Sequence, residues 1–371
     1  MKTLNGNAAL AGIAAILALA GAYLLIFNAG PVDRLNVLEV FVNGLMTGIM
    51  YSLVALGFVL IYKSSGIFNY AQGVMALFAA MTLAGIQAGQ VPFSHLINAM
   101  FGTNIHHFGW TVPGVVAVAL TVLVMIALAW VIERLVLKHL VGQEPIILFM
   151  ATIGLAFFLE GLGDLMWTSE IKTIDLGIPT GGSLWIEEVT IGWAPEGARY
   201  FGMYIDLLDV WATLVAAVLV VALTLFSQFT RQGRALRAVA DDHQAALSVG
   251  ISLRAIWVMV WAIAGVIALV AGTMWGAKSG VQFSLSLIAL KALPVLMLGG
   301  FTSIPGAIVG GLIIGAGEKF FEYAASSTET FRAIFGTNFS ATELWFAYVV
   351  ALVVLVFRPQ GLFGEKIIER V

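Results

Sequence analysis

The sequence predicts an all-α polytopic membrane protein, a single domain over 1–371 with about ten transmembrane helices. Three observations carry this reading. Of the 371 residues, 60% are hydrophobic and only 11% charged, against about 25% charged in ordinary soluble domains. Mean hydropathy is +0.99. The apolar residues fall in long uniform runs near the ~20 residues that cross a bilayer as a helix. None of the runs alternates like an outer-membrane strand. Cysteine is absent, which excludes a disulfide framework, a thiolate metal site and a cysteine nucleophile. A net charge of −3 gives no argument for nucleic acid.

In chain order the expected spans are 8–28, 37–62, 69–90, 112–132, 145–167, 207–229, 254–275, 282–300, 304–323 and 342–357. The first follows Lys2 and has an apolar core of about 20 residues, longer than the 7–15 of a signal peptide, so a retained helix is expected. Only Phe301–Ser303 separate the eighth and ninth runs, which predicts a tight hairpin or a pair of broken helices. Pro305, in Ile304-Pro305-Gly306, suits a first helical turn, where its missing N–H is not needed. Gly44 and Gly48, Gly306 and Gly310, and Gly311 and Gly315 are each four apart. Small residues at this spacing let helix backbones approach closely in lipid. They serve either static packing or sliding surfaces.

Basic residues mark the cytoplasmic side. Ten spans with both termini inside place eleven of them there, with Arg231, Arg234, Arg237 and Arg254 concentrated in one loop. Five fall outside: Arg34, Lys172, Arg199, Lys278 and Arg332. The 168–206 loop, expected in the periplasm, is acidic, with Glu170, Asp175, Glu187, Glu188, Glu196 and Asp206.

Enzyme motifs are missing. There is no G-x-x-x-x-G-K-[ST], no H-E-x-x-H and no G-x-S-x-G. His95, His106 and His107 share one outer loop, but no acid lies between Gln87 and Thr111 to complete a metal site.

Ionisable residues within spans are costly, about 2.5–3.5 kcal/mol at the bilayer centre, and are functional candidates. Glu160 and Asp164 share a face in the outer third of the fifth span, either hydrated at the mouth or forming an acidic vestibule. Glu318, Lys319 and Glu322 end the ninth span similarly. Lys291 lies about ten residues into an apolar run, bonded to backbone carbonyls or serving a pathway. Tyr62, Ser64, Ser65, Asn69, Tyr70 and Gln72 cluster around Gly66, as a cavity lining or a cytoplasmic turn. The longest inner loop, 231–254, suits a short amphipathic helix on the membrane surface.

Four stretches, in order, resemble one family. Gln244-Ala245-Ala246-x-x-x-Gly250 looks like the E-A-A-x-x-x-G loop of ABC-importer permeases, with Gln for the acid. Asn43-Gly44 through Ile61-Tyr62, with Asn69-Tyr70-Ala71-Gln72-Gly73, resembles the opening signature of branched-chain amino acid importer permeases. Lys291-Ala292 and Leu298-Gly299-Gly300-Phe301-Thr302-Ser303-Ile304-Pro305-Gly306-Ala307 resemble a second block, with Leu293 for an aromatic and Thr302 for a glycine. Arg358-Pro359-Gln360-Gly361-Leu362-Phe363-Gly364 resembles its terminal motif. The first helix and the long 168–206 loop depart from shorter family members.

The resemblance implies a type II-like ABC importer permease fold in a bacterial inner membrane. It implies a second permease subunit forming a heterodimer, two cytoplasmic ATPases that hold ATP and Mg, and a periplasmic binding protein. No cofactor is expected on this chain. Coupling to the ATPase would fall to Arg234, Gln244, Ala245, Ala246 and Gly250, the small residues suiting insertion into a groove. The substrate pathway or gate would use Asn43, Tyr62, Asn69, Gln72, Lys291, Glu160 and Asp164. Leucine, isoleucine and valine are the expected substrates. The alternatives are urea or short amides, or a stand-alone secondary transporter or channel.

Overall fold

A computed structural model describes residues 31–140, 143–175, 177, 183–186, 203–241, 243–327 and 342–364. The expected first span, 8–28, and most of the 168–206 loop lie outside the described residues. The described helices are α1 (Pro31–Ser65), α2 (Gln72–Gln87), α3 (Ser94–Phe101), α4 (Gly114–Leu135), α5 (Pro145–Trp167), α6 (Leu207–Phe229), α7 (Arg231–Asp241), α8 (His243–Ser248), α9 (Leu253–Ser279), α10 (Ile288–Gly299), α11 (Ile304–Ser327) and α12 (Thr342–Phe357). Two short strands, β1 (Ser183–Ile186) and β2 (Met203–Asp206), pair antiparallel in the long loop, Ser183 opposite Asp206. Among the described residues, six helices are long and apolar enough to cross a membrane, with shorter apolar helices at 72–87, 283–299 and 345–357.

The predicted spans at 145–167, 207–229 and 342–357 coincide with α5, α6 and α12. Two others are broken. The third begins three residues late, and the eighth is a 3₁₀ turn, Phe283–Leu287, followed by the twelve-residue α10. Non-helical backbone at membrane depth is tolerated only where protein or a cavity covers it. Here protein does so. Gly73 packs against the Ser286 carbonyl, and a Cβ there would overlap it.

α1 and α9 form the centre, with 83% and 61% of their apolar windows buried, against 28% for α4 and α5 and 17% for α6. The apolar faces of α4, α5 and α6 point outward. Apolar burial does not drive helices together in lipid, where close backbone packing does. The most extensive helix pair, α1–α11, shows it. Gly44-x-x-x-Gly48 meets Gly311-x-x-x-Gly315, so that a Cβ on Gly44 would stand 2.8 Å from the Ala316 Cα. Across this seam Ser52 Oγ donates to the Ile308 carbonyl at 3.3 Å.

Gly306-x-x-x-Gly310 faces α10 and allows the tight α10–α11 hairpin. Ser303 begins α11, its Oγ accepting from Gly306 N–H at 3.1 Å. The returning C-terminal segment clasps the hairpin turn. Leu362 N–H donates to the Leu298 carbonyl at 2.7 Å and Phe363 N–H to the Gly299 carbonyl at 3.1 Å. Gly300 (φ +100°) and Gly361 (φ +76°) touch there, in backbone conformations that side chains resist.

The bundle has two distinct ends. The starts of α1 and α6, the ends of α9 and α11 and the β1–β2 ribbon gather at an acidic end. The turn after α1, the α10–α11 turn and the α7–α8 segment gather at a basic end.

Candidate functional site

At the acidic end, α1, α6, α9 and α11 surround a cleft of about 450 Å³. Its charged walls are Asp206, Asp209, Lys278, Lys319 and Glu322, with Asn43 and Thr47 on the α1 side. Asp206 caps α6 by accepting from Leu208 N–H at 2.9 Å. Lys278 Nζ donates to both oxygens of the buried Asp209, at 2.7 and 2.8 Å, tying α9 to α6. Lys319 and Glu322 pair at 2.8 Å within α11. Both signs of charge therefore line one opening.

Lys291 stands in the first turn of α10. Its ammonium lies 6.0 Å from the centre of the Tyr51 ring and 5.9 Å from that of Trp275, and these rings stack on each other at 5.6 Å. Tyr51 is at the middle of the apolar stretch Leu38–Ser65. Aromatic faces replace the backbone carbonyls that were one expected partner. No carboxylate is within ion-pair distance of Lys291 among the described residues.

At the junction of α1 and α2, Asn69 and Gln72 turn inward, while Gly66 and Tyr70 stay exposed. Asn69 and Gln72 are buried and joined, Asn69 Nδ2 donating to Gln72 Oε1 at 3.3 Å. Asn69 Oδ1 accepts from Ala71 N–H at 3.2 Å, and Gln72 Nε2 donates to the Ala264 carbonyl of α9 at 3.3 Å. Asn69 thus satisfies a backbone N–H that the break in the helix leaves over, and Gln72 ties the break to α9. Tyr62 packs on Phe301 of the α10–α11 turn at 5.6 Å, and Phe301 on Phe68 at 6.0 Å.

The 231–254 segment forms α7 and α8. Thr230 Oγ1 accepts from Gly233 N–H at 2.9 Å and starts α7. Gly233, Leu236 and Val239 turn inward, and Arg231 and Arg234 outward. After α8 a Schellman turn follows: Ile251 N–H bonds the Ala246 carbonyl and Gly250 N–H the Leu247 carbonyl, both at 3.0 Å, with Gly250 at φ +83°. Ala245 is exposed, as are Leu247 (53%) and Val249 (74%), whereas Ala246 is buried in the core. The side chain of Gln244 lies outside the described residues. At this end Arg254 Nε donates to the buried Glu133 at 3.0 Å, joining α9 to α4.

Glu160 and Asp164 lie on α5, half-buried and exposed respectively, apart from the cleft and from Lys291. Asp209 and Lys278 were not singled out from sequence, because a charge at a helix end reads as hydrated. Their separation by 69 residues hid the pair. Beside the ribbon, Lys172 Nζ donates to Gln90 Oε1 at 3.0 Å. Burial pushes its ammonium below the usual lysine range, against the opposing pull of Glu170.

The family model described as branched-chain amino acid transport system / permease component matches residues 40–358. The chain is similar to the high-affinity branched-chain amino acid transport system permease protein BraD of Pseudomonas aeruginosa. Identity is 28% over 343 residues, covering 90% of this chain and 98% of the relative. It is also 27% identical over 331 residues to the corresponding LivH of Escherichia coli, covering 89% and 96%. No solved structure matches.

Proposed function

The chain belongs to the branched-chain amino acid transport permease family, and on that premise we propose that it is the membrane permease subunit of an ATP-driven importer of leucine, isoleucine and valine. It works with a second permease subunit, two cytoplasmic ATPases that bind ATP and Mg, and a periplasmic binding protein. The basic end faces the cytoplasm and the acidic end the periplasm. The observation that carries this reading is the α7–α8 segment. It is fixed to the core through Leu236, Val239 and Ala246, yet it presents Ala245, Leu247 and Val249 outward. An importer subunit with no nucleotide-binding motif needs such a docking surface at the basic end. ATP binding elsewhere would shift the access equilibrium by differential affinity for its two states.

The test is uptake of radiolabelled leucine into proteoliposomes holding the whole complex. Uptake is expected with ATP inside the appropriate compartment and none with a non-hydrolysable analogue. Uptake by this chain alone, driven by an ion gradient, would support the secondary-transporter reading instead.

Orientation has its own check, because the chain has no cysteine. Ser279→Cys is expected to react with an impermeant maleimide in intact spheroplasts, and Val249→Cys only after lysis. The reverse pattern would invert the assignment of the two ends.

A further inference from the structure

The outer cleft and Lys291 lie on one line. Asn43 and Thr47 of the cleft wall are followed by Tyr51 at the same four-residue spacing, so all three share one face of α1. Lys278 of the cleft and Trp275 are three apart on α9 and share a face as well. Both stripes run inward from the opening and end at the stacked Tyr51–Trp275 pair that holds the Lys291 ammonium. Tyr51 is about 12 Å below Asn43 along the helix. Tyr51 is buried, whereas Trp275 and Lys291 keep part of their surface open.

The box at the bottom of this line has two donors to spare. Lys291 has no carboxylate partner among the described residues. The buried Trp275 Nε1 has no acceptor among them either. A buried donor without a partner is destabilising, and an unpaired cation in the membrane costs more. Lysine in a first helical turn also opposes the helix dipole. All three costs fall if an anion enters the box.

Resting on the importer reading, we propose that Lys291 binds the carboxylate of the transported amino acid, with Tyr51 and Trp275 flanking its aliphatic side chain. The ligand class is a monocarboxylate with a compact apolar body. Lys291 supplies a charge-assisted hydrogen bond, and the paired rings supply the apolar wall. The mixed charges of the cleft above suit the entry of a zwitterion.

The experiment uses Lys291→Cys, the single cysteine of this subunit, in the complete complex with cysteine-free partners. Aminoethyl methanethiosulfonate converts that cysteine into a lysine-like ammonium, and the methyl reagent leaves it neutral. Leucine uptake is expected to fall at least about tenfold in Lys291→Cys, to recover with the aminoethyl adduct and not with the methyl adduct. Equal transport by the two adducts overturns the proposal. A wild-type complex that transports no branched-chain amino acid overturns the importer reading itself.

Discussion

Gly48→Leu is expected to remove most of the folded protein from the membrane. A Cβ at this position falls on the Gly311 carbonyl group and stands 3.0 Å from the Leu312 Cα. These are backbone atoms, so no rotamer change relieves the clash. Leucine would force α1 and α11 apart along the seam from Gly44 to Ser52 and break the Ser52–Ile308 hydrogen bond. Overpacking costs about 1–3 kcal/mol where neighbours can shift, and a rigid backbone contact belongs at or above the upper end. Membrane abundance should fall at least about fivefold, with loss of the thermal unfolding transition in detergent. Gly154→Leu is the matched control, because none of the described residues lies within 4 Å of a Cβ there. If both variants were equally abundant and equally stable, the α1–α11 seam would not be what holds these helices.

The second large effect concerns α8. Ala245→Trp places a bulky ring on the exposed side of the segment, whereas Ala246→Trp drives one into the core. The two substitutions should therefore fail differently. Ala245→Trp is expected to insert and accumulate normally but to lose co-purification with the ATPase. Its uptake should fall by at least about tenfold, as expected for blocking a central interface contact. Ala246→Trp is expected to lower abundance as well. Normal transport by Ala245→Trp would make 231–254 an ordinary surface helix and strengthen the stand-alone alternative.

Much of the fold was legible because hydropathy reports the solvent around a segment. Spans 145–167 and 207–229 were read to the residue as α5 and α6. Hydropathy does not report backbone shape, and so it ran smoothly across the breaks at 69–72 and 283–287. Those breaks are stabilised by distant groups, Gln72 on Ala264 and Gly73 on Ser286. The glycine spacings signalled close packing but not which helices met. For the site, the cost of Lys291 was visible in the chain, while its aromatic partners, 240 and 16 residues away, were not. The small side chains of Ala245 and Ala246 carried no hint that one faces out and the other in.

The clasp at the basic end has a consequence for biosynthesis. The carbonyls of Leu298 and Gly299 receive their donors from Leu362 and Phe363, which leave the ribosome about sixty residues later. At about 5–20 residues per second this is a delay of several seconds. Throughout that interval the α10–α11 corner has its helices but not its seal, and α12 must insert before the seal can arrive. The last corner of the bundle therefore closes after membrane insertion. A chain stopped before Gly361 should be inserted in full and then cleared by membrane proteases. Pulse-chase labelling would show this as normal synthesis followed by a shortened half-life, and an unchanged half-life would mean that the corner holds without its clasp.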